Sequence, residues 1–441
     1  VGHDADEVEA AHGGQGQQEG EQEQRPDARP PRLQVGRLPG TIALFEQMAA
    51  GEVRACWIIG TNPVASVPNR DSVIAGLTAA ELVLTQDVYA DTATNRYADI
   101  TLPATLWAEA DGMMVNSERT LTLMRQAVPP PGQARPDWQL ICQVAAAMGF
   151  GAQFDYQSSA EVFDEIRQFW NPRTGYDLRG ASYSRLRETP LQWPCPPGDT
   201  EDRHPIRYLN DGVSQDLHVD DNGRRPRLAF ATESRRAVFH PRPHLPAAEL
   251  PDDDYPLVLN TGRLPHQWHT MTKTGRVATL NRLDSGPFLE IHPEDAAGLD
   301  LADGQRVEVR SRRGRAVLPA VVTDRVRPGS CFAPFHWNDE HGEYLAINAL
   351  TSDAVDPVSL QPELKVCAVR LRAIAPAPGT PAAEPTARRT PAAGGGPWVL
   401  WASQTGGAEQ VAAGLVDRLA GAGVEAALIG MDDCAPDDLV D

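Results

Sequence analysis

The string TIALFEQMAAGEVRACWIIGTNP (residues 41–63) carries two patterns in succession, and the change from one to the other decides the fold. Ile42, Phe45 and Met48 recur at helical spacing, so the first half presents one apolar face. Residues 56–59 then form a short unbroken apolar run, as a buried strand does, and Gly60-Thr61-Asn62-Pro63 ends it in a turn. A second unit repeats this order, with a helical stretch over residues 70–80 leading into ELVLTQD (residues 81–87), a short apolar strand with a polar end. Alternating helices and strands imply a parallel α/β sheet, and we assign residues 39–150 to it.

Working outward, 441 residues of which 41% are hydrophobic can supply the cores of several domains. Residues 1–38 are rich in Gly, Gln, Glu, Pro and Arg, and are expected to be a disordered or non-native tail. In DWQLICQVAAAMG (residues 137–149), Leu140, Ile141, Val144, Ala145 and Met148 share a predicted helical face, with Gly149 as the stop. Residues 151–250 mix aromatic, Arg, Pro and Asp residues, and read as a connecting region of loops, short helices and a few strands. Residues 251–372 contain the strand-like runs YPLVLNTGR, FLEIHP, GQRVEVRSRRGRAVLPAVVTDRV, GSCFAPFH and CAVRLRAI, which predict a compact β-barrel. Residues 373–397 have the Ala, Pro, Gly and Thr content of a linker. A further domain over 398–441 opens with the strand WVLWAS, the turn QTGGAE, and a helix whose apolar face is predicted to be Val411, Leu415, Val416 and Leu419.

Composition limits what the chain does. The 40 basic and 60 acidic residues give a net charge of −20, which argues against nucleic-acid binding by bulk attraction and requires local donors for any anionic ligand. Cys56, Cys142, Cys195, Cys331, Cys367 and Cys434 are scattered, with no C-x-x-C pair to mark a zinc or cluster site and no disulfide framework. No apolar run approaches the roughly 20 residues of a membrane span, and the first residues lack the regions of a signal peptide, so a cytoplasmic location is expected. The start at Val1 and the end at Asp441 suggest a fragment of a longer protein.

Several turns have the chemistry of a nucleotide site. Asn62 follows the first strand, and Gln86 and Asp87 end the second, at the carboxyl edge where open α/β sheets bind nucleotides. The same residue types also serve as plain turns and helix caps. The segment LNTGRLPHQWHTMTKTGR (residues 259–276) packs Arg263, His266, Gln267, Trp268, His269, Thr270, Lys273 and Arg276 behind one strand. Such a loop suits an anionic, many-armed ligand, with Thr261 and Gly262 offering backbone N–H groups and Arg263 pairing a phosphate. His266 and His269 have no carboxylate or thiol at helpful spacing, and no metal site is predicted. Near the C-terminus, Ser403, Gln404, Thr405, Gly406, Gly407 and Ala408 lie between a strand and a helix, as a phosphate seat does or simply as a capped helix start.

In order, WIIGTNP, TQDVYADTATNRYADITLPA, EADGMMVNSER, TGRLPHQWHTMTKTGR, EIHPEDAAGLDLADGQRVEVRSRRG and LTSDAVDPVSLQPELKVCAVRL resemble the molybdopterin guanine dinucleotide oxidoreductases over about residues 40–372. The resemblance implies a barrel of double-psi type and cofactor contacts at Asn62, Gln86, Asp87, Asp137, Thr261, Gly262, Arg263, Gln267, Trp268, His269, Thr270, Phe335, Asn348 and Lys365. Trp268 and His269 would approach the pterin, and Asp87 or Asp137 would read guanine or ribose. Two positions depart from the family pattern: Ala110 stands where a Lys is usual, and Gln86 where a Ser is common.

Within that family, QWHTMTKTGR and DPVSLQPELKVCAV resemble assimilatory nitrate reductases more than formate dehydrogenases, which remain the alternative. SQTGGAE is similar to the FMN phosphate loop of flavodoxin-like domains in sulfite reductase flavoproteins. Together the resemblances imply a Mo-bis(molybdopterin guanine dinucleotide) cofactor, a truncated FMN module, a [4Fe-4S] cluster upstream, an NAD(P)H-linked flavin donor in cis, and nitrate as substrate. The cluster cysteines and the protein ligand of molybdenum would also lie upstream, so no catalytic residue is named and this stretch alone is expected to be inactive. A non-catalytic binding or scaffold role is the other alternative.

Overall fold

The computed structural model describes residues 40–284, 286–374, 397–401 and 407–431. Helix α1 (Thr41–Ala49), strand β1 (Ala55–Ile59), helices α2 (Pro63–Ser66) and α3 (Arg70–Ala79), and strands β2 (Leu82–Asp87) and β3 (Ile100–Pro103) form the predicted α/β unit. The strands run parallel in the order β1-β2-β3, with Ile59 beside Gln86 and Gln86 beside Leu102. Phe45 and Met48 bury the face of α1 foreseen from its spacing, and they share a core with Ile58, Val64, Val73, Leu77 and Val83. Gly76 lets α1 and α3 touch, because a Cβ there would stand 2.6 Å from the Phe45 carbonyl oxygen. Ile59, Leu82 and Ile100 lie on the opposite face of this sheet and are exposed.

Within the stretch expected as one parallel unit, β4 (Gly112–Val115) and β5 (Thr120–Met124) stand outside the parallel sheet, followed by α4 (Asp137–Ala147); the connecting region then adds α5 (Ser159–Ile166), β6 (Trp170–Asn171), β7 (Tyr176–Asp177), α6 (Tyr183–Glu188) and β8 (Leu191–Gln192). β4, β5 and β8 form an antiparallel sheet over a core of Leu121, Phe163, Leu178, Leu186 and Leu191. Ser158 caps α5, its Oγ accepting from the Glu161 N–H at 3.3 Å. On α4, Leu140 and Ala145 are buried as predicted, but Met148 is 68% exposed. The helix ends at Ala147, so the helical period no longer sets the direction of Met148.

The barrel comprises β9 (Leu257–Gly262), α7 (Ala278–Leu283), β10 (Leu289–Ile291), α8 (Pro293–Gly298), β11 (Arg306–Arg310), β12 (Arg315–Val322), β13 (Ser330–Pro334) and β14 (Cys367–Ala373). Its six strands close in the order β10-β12-β11-β14-β9-β13, with β10/β12 and β9/β13 parallel and the other pairs antiparallel. Closure leaves no free edge, and Leu259, Leu289, Ile291, Val307, Val309, Leu318 and Val369 fill the interior.

Last come β15 (Trp398–Trp401), α9 (Gly407–Gly421) and β16 (Ala427–Gly430), with the two strands parallel. The strand and helix match expectation, but the predicted helical face does not: Val411 is 70% exposed and Leu415 is also exposed, while Ala412 is buried. The helix meets the strands through its small side chain, and two described strands are too narrow to cover the larger ones. Ser403, Gln404, Thr405 and Gly406 lie outside the described residues; Gly407 opens α9 and Ala408 is exposed on it.

The three main apolar clusters share no residue. Between the α/β unit and the barrel the junction is polar. Asn348 Nδ2 donates to the Ala65 carbonyl at 2.9 Å, the Asn69 N–H to the Thr351 carbonyl at 3.3 Å, and Arg70 Nη1 to Asp339 at 2.6 Å. Arg276 pairs with Asp91 across the same boundary.

Candidate functional site: a cleft at the sheet edge and a cationic barrel loop

The carboxyl ends of β1 and β2 meet where the Gly60 N–H donates to the Gln86 carbonyl at 2.9 Å. Gly60 has φ 60, and the space a Cβ would take is open to 4 Å, so the backbone there is bare. Gln86 is 1% exposed, and its Nε2 donates to Asp137 Oδ1 at 2.6 Å in the first turn of α4. With Nε2 committed, the amide has one orientation, and Oε1 is left buried without a partner. Burial raises the pKa of the neighbouring Asp87 carboxyl, against the backbone N–H groups of Tyr89 and Val88 and the charge of Lys273. These groups line a cavity of about 480 Å³ that also includes Trp107 and Trp138. Its polar end is rich in acceptors, which suits the N–H edge of a base or the hydroxyls of a ribose.

The barrel contributes cations. Thr261 and Gly262 end β9 beside β13, and the Phe335 N–H donates to the Gly262 carbonyl at 3.1 Å. Gly262 must lack a side chain, since a Cβ would lie 2.5 Å from the Phe332 ring. Lys365 Nζ donates to the Thr261 carbonyl at 2.6 Å, and the Thr261 hydroxyl donates to the Leu364 carbonyl at 2.7 Å. Arg263 is exposed and makes no hydrogen bond or ion pair among the described residues; its guanidinium sits 5.5 Å from the Trp268 ring centre. Trp268 meets His269 edge to face at 4.7 Å. Desolvation, and after it the charge of Arg263, lowers the pKa of both His269 and Lys365. This positive cluster has no carboxylate in ion-pair contact with Arg263 or Lys365 among the described residues, in a chain of net charge −20. An anion would relieve the repulsion.

The structure thus gathers the expected residues into two groups. Gln86, Asp87 and Asp137 share the cleft; Thr261, Gly262, Arg263, Trp268, His269, Phe335 and Lys365 share the barrel rim. Gln267 is buried behind the loop, its Nε2 donating to Asn281 Oδ1 at 3.1 Å and its Oε1 unpartnered. Asn62 links the groups: Oδ1 accepts from the Thr94 N–H at 3.1 Å and the Thr94 hydroxyl at 2.6 Å, and Nδ2 donates to Thr270 Oγ1 at 3.4 Å. Asn348 stands apart, at the junction. Sequence reading left two participants without a role of their own. Lys273 reaches the cleft from the barrel loop, and His336 lies beneath that loop. A histidine flanked by Phe335 and Trp337 at a strand end was the available signal for the second.

Comparison with known proteins places this geometry in a class. Residues 9–147 match the molybdopterin oxidoreductase family, and residues 257–368 match the molydopterin dinucleotide binding domain. The two matches lie in that order along the chain, and the second coincides with the closed barrel and its cationic loop. The first match begins within the stretch expected to be a tail, and residues 1–39 lie outside the described residues.

Individual relatives narrow the setting. The chain is 37% identical to a nitrate reductase of Klebsiella oxytoca, over 78% of this chain and 38% of that protein. It is 36% identical to an F420-dependent formate dehydrogenase subunit alpha of Methanocaldococcus jannaschii, over 73% of this chain and 43% of that protein. A periplasmic nitrate reductase of Desulfovibrio desulfuricans is 36% identical over 78% of this chain and 45% of its own length. The chain spans less than half the length of each of these relatives. The fold resembles that of acetylene hydratase from Pelobacter acetylenicus, with TM-score 0.54 and 20% identity over 76% of this chain and 46% of the other. No helix among the described residues is long and apolar enough to cross a membrane.

Proposed function

We propose that this chain forms the dinucleotide-holding part of a cytoplasmic molybdenum enzyme that reduces nitrate to nitrite. The carrying observation is the pair of cations Arg263 and Lys365, with no carboxylate in ion-pair contact among the described residues, at the rim of the barrel beside Trp268 and His269, together with the cleft where Gln86 Oε1 is buried without a partner. The donor set fits a pyrophosphate-bridged cofactor with a base at one end. Arg263, with the backbone of Thr261 and Gly262, would hold phosphate; Trp268 and His269 would border the pterin; Gln86, Asp87 and Asp137 would take base or ribose donors. When bound, such a cofactor supplies the two-electron chemistry of oxygen-atom removal, NO₃⁻ + 2H⁺ + 2e⁻ → NO₂⁻ + H₂O.

In the same reading, the electrons come from an NAD(P)H-linked flavin module in cis and pass through an upstream [4Fe-4S] cluster. The parallel β15/β16 pair with α9 between supports the beginning of a flavodoxin-like FMN domain. Formate oxidation is the second reading, favoured by the 36% identity to a formate dehydrogenase subunit. Assay of the full-length protein separates them. Nitrate reduction driven by reduced methyl viologen is expected, and formate oxidation without it would overturn the choice. Full-length protein lacking both molybdenum and guanine nucleotide would instead support a scaffold.

A further inference from the structure

We propose that His336 is a positioning residue, a pin that ties Leu264 and His269 of the cationic loop to the barrel and does so only as the neutral imidazole protonated at Nδ1. The ring is fully buried, two residues past the end of β13. Its Nε2 lies 2.8 Å from the Leu264 backbone nitrogen, and an N–H can only donate, so Nε2 must be unprotonated. Its Nδ1 lies 2.7 Å from the His269 carbonyl oxygen, which can only accept, so Nδ1 must carry the proton. One tautomer satisfies both contacts, and together they span the segment that holds Gln267, Trp268 and His269.

The loop needs this support because its backbone is unusual. His269 and Met271 have φ of 47° and 62°, in the left-handed region that side chains with a Cβ seldom occupy. A second proton on Nε2 would set two N–H groups against each other and free Leu264. The His269 carbonyl that accepts from Nδ1 and Asp284 beyond α7 favour the charged form, and the charges of Arg263 and the His269 ring oppose it. Burial is the largest influence and also opposes it, so the pin is engaged above the ordinary histidine value of 6.5 and is lost as pH falls.

The inference assigns the pin to the loop that the proposed function gives to the dinucleotide, and it is tested without cofactor. In the chain labelled with ¹⁵N-histidine, the resonances missing from His336→Gln identify this ring; Nδ1 protonated and Nε2 bare at about pH 7.5 is expected. Hydrogen exchange of residues 264–276, corrected for intrinsic rate, should be about tenfold faster at a pH where the ¹⁵N spectrum shows Nε2 protonated than at pH 7.5. In His336→Gln and His336→Asn, each too short or too long for one of the two contacts, exchange should be fast at both pH values. A ring protonated on Nε2 at pH 7.5, or loop exchange in the native chain unmoved across the pH range where Nε2 is seen to gain its proton, would overturn the pin, and the exchange readout requires no variant. Guanine-nucleotide content of the full-length His336→Gln protein reports separately on the cofactor reading: a loosened loop with undiminished nucleotide would sink that reading and leave the pin.

Discussion

The barrel and the α/β sheet are both built from short apolar strands, yet they solve the edge problem differently. The barrel closes on itself around Leu259, Leu289 and Ile291 and has no free edge. The α/β sheet has three described strands, helices packed on one face, and Ile59, Leu82 and Ile100 exposed on the other. Parallel sheets usually bury both faces, so the barrel is complete in itself while the sheet is not, among the described residues. The candidate site sits where the complete unit presents cations to the incomplete one.

The contrast is sharpest in stability. Leu259→Ala should cost about 2–5 kcal/mol by opening a cavity in the closed barrel, whereas Leu82→Ala on the bare sheet face should cost no more than about 0.5 kcal/mol. Denaturant titration of the two variants checks this, and equal losses would show the sheet face to be covered. Arg263→Ala should leave melting unchanged but weaken cofactor retention in the full-length enzyme by about 2 kcal/mol, read as molybdenum and guanine-nucleotide content. Undiminished content would remove Arg263 from the site.

At the junction, Asn348→Ala leaves the Ala65 carbonyl unpaired and should cost about 1–2 kcal/mol. Because the two cores share no residue, calorimetry should resolve its melting into two transitions; a single sharp one would mean the units unfold together. The smallest effect is expected at Asp87. Its carboxyl is raised by burial, so its contribution to stability is favourable below the ordinary value of 3.8 and is lost as pH rises through the folded value. Asp87→Asn should therefore raise the melting temperature slightly at pH 7 and not near pH 3. A lower melting temperature at pH 7 would show that Lys273 stabilises the charged form more than burial opposes it.

Sequence reading served local features well. The apolar periods mark the helices and strands of residues 41–59 and 70–87 and the strands of residues 257–373 where predicted, because period reports which face is buried, while the short helices α2, α7 and α8 carry no such period and were not foreseen. It failed where burial depends on what lies opposite, as at Met148 beyond the end of its helix and Val411 beside two narrow strands. The candidate site was legible as residue types and only partly as roles. Asn62 was visible as a turn residue, but its bonds to Thr94 and Thr270 involve partners 32 and 208 positions away. His336 was hidden for a similar reason, since its partners lie 72 and 67 positions away.

The amino-acid sequence by itself determined the succession of units, the density of donors in residues 259–276, and the acceptors at the strand ends near Gly60 and Gln86, because these depend on neighbours in the chain. Only the tertiary structure decided which polar atoms remain unspent. The Gln86 amide is fixed by Asp137, the Asn62 amide is consumed within the protein, and the tautomer of His336 is set by two backbone groups it meets only after the barrel closes. Hydrogen-bond capacity is a property of residue type, but whether it is free for a ligand is settled by contacts between distant segments.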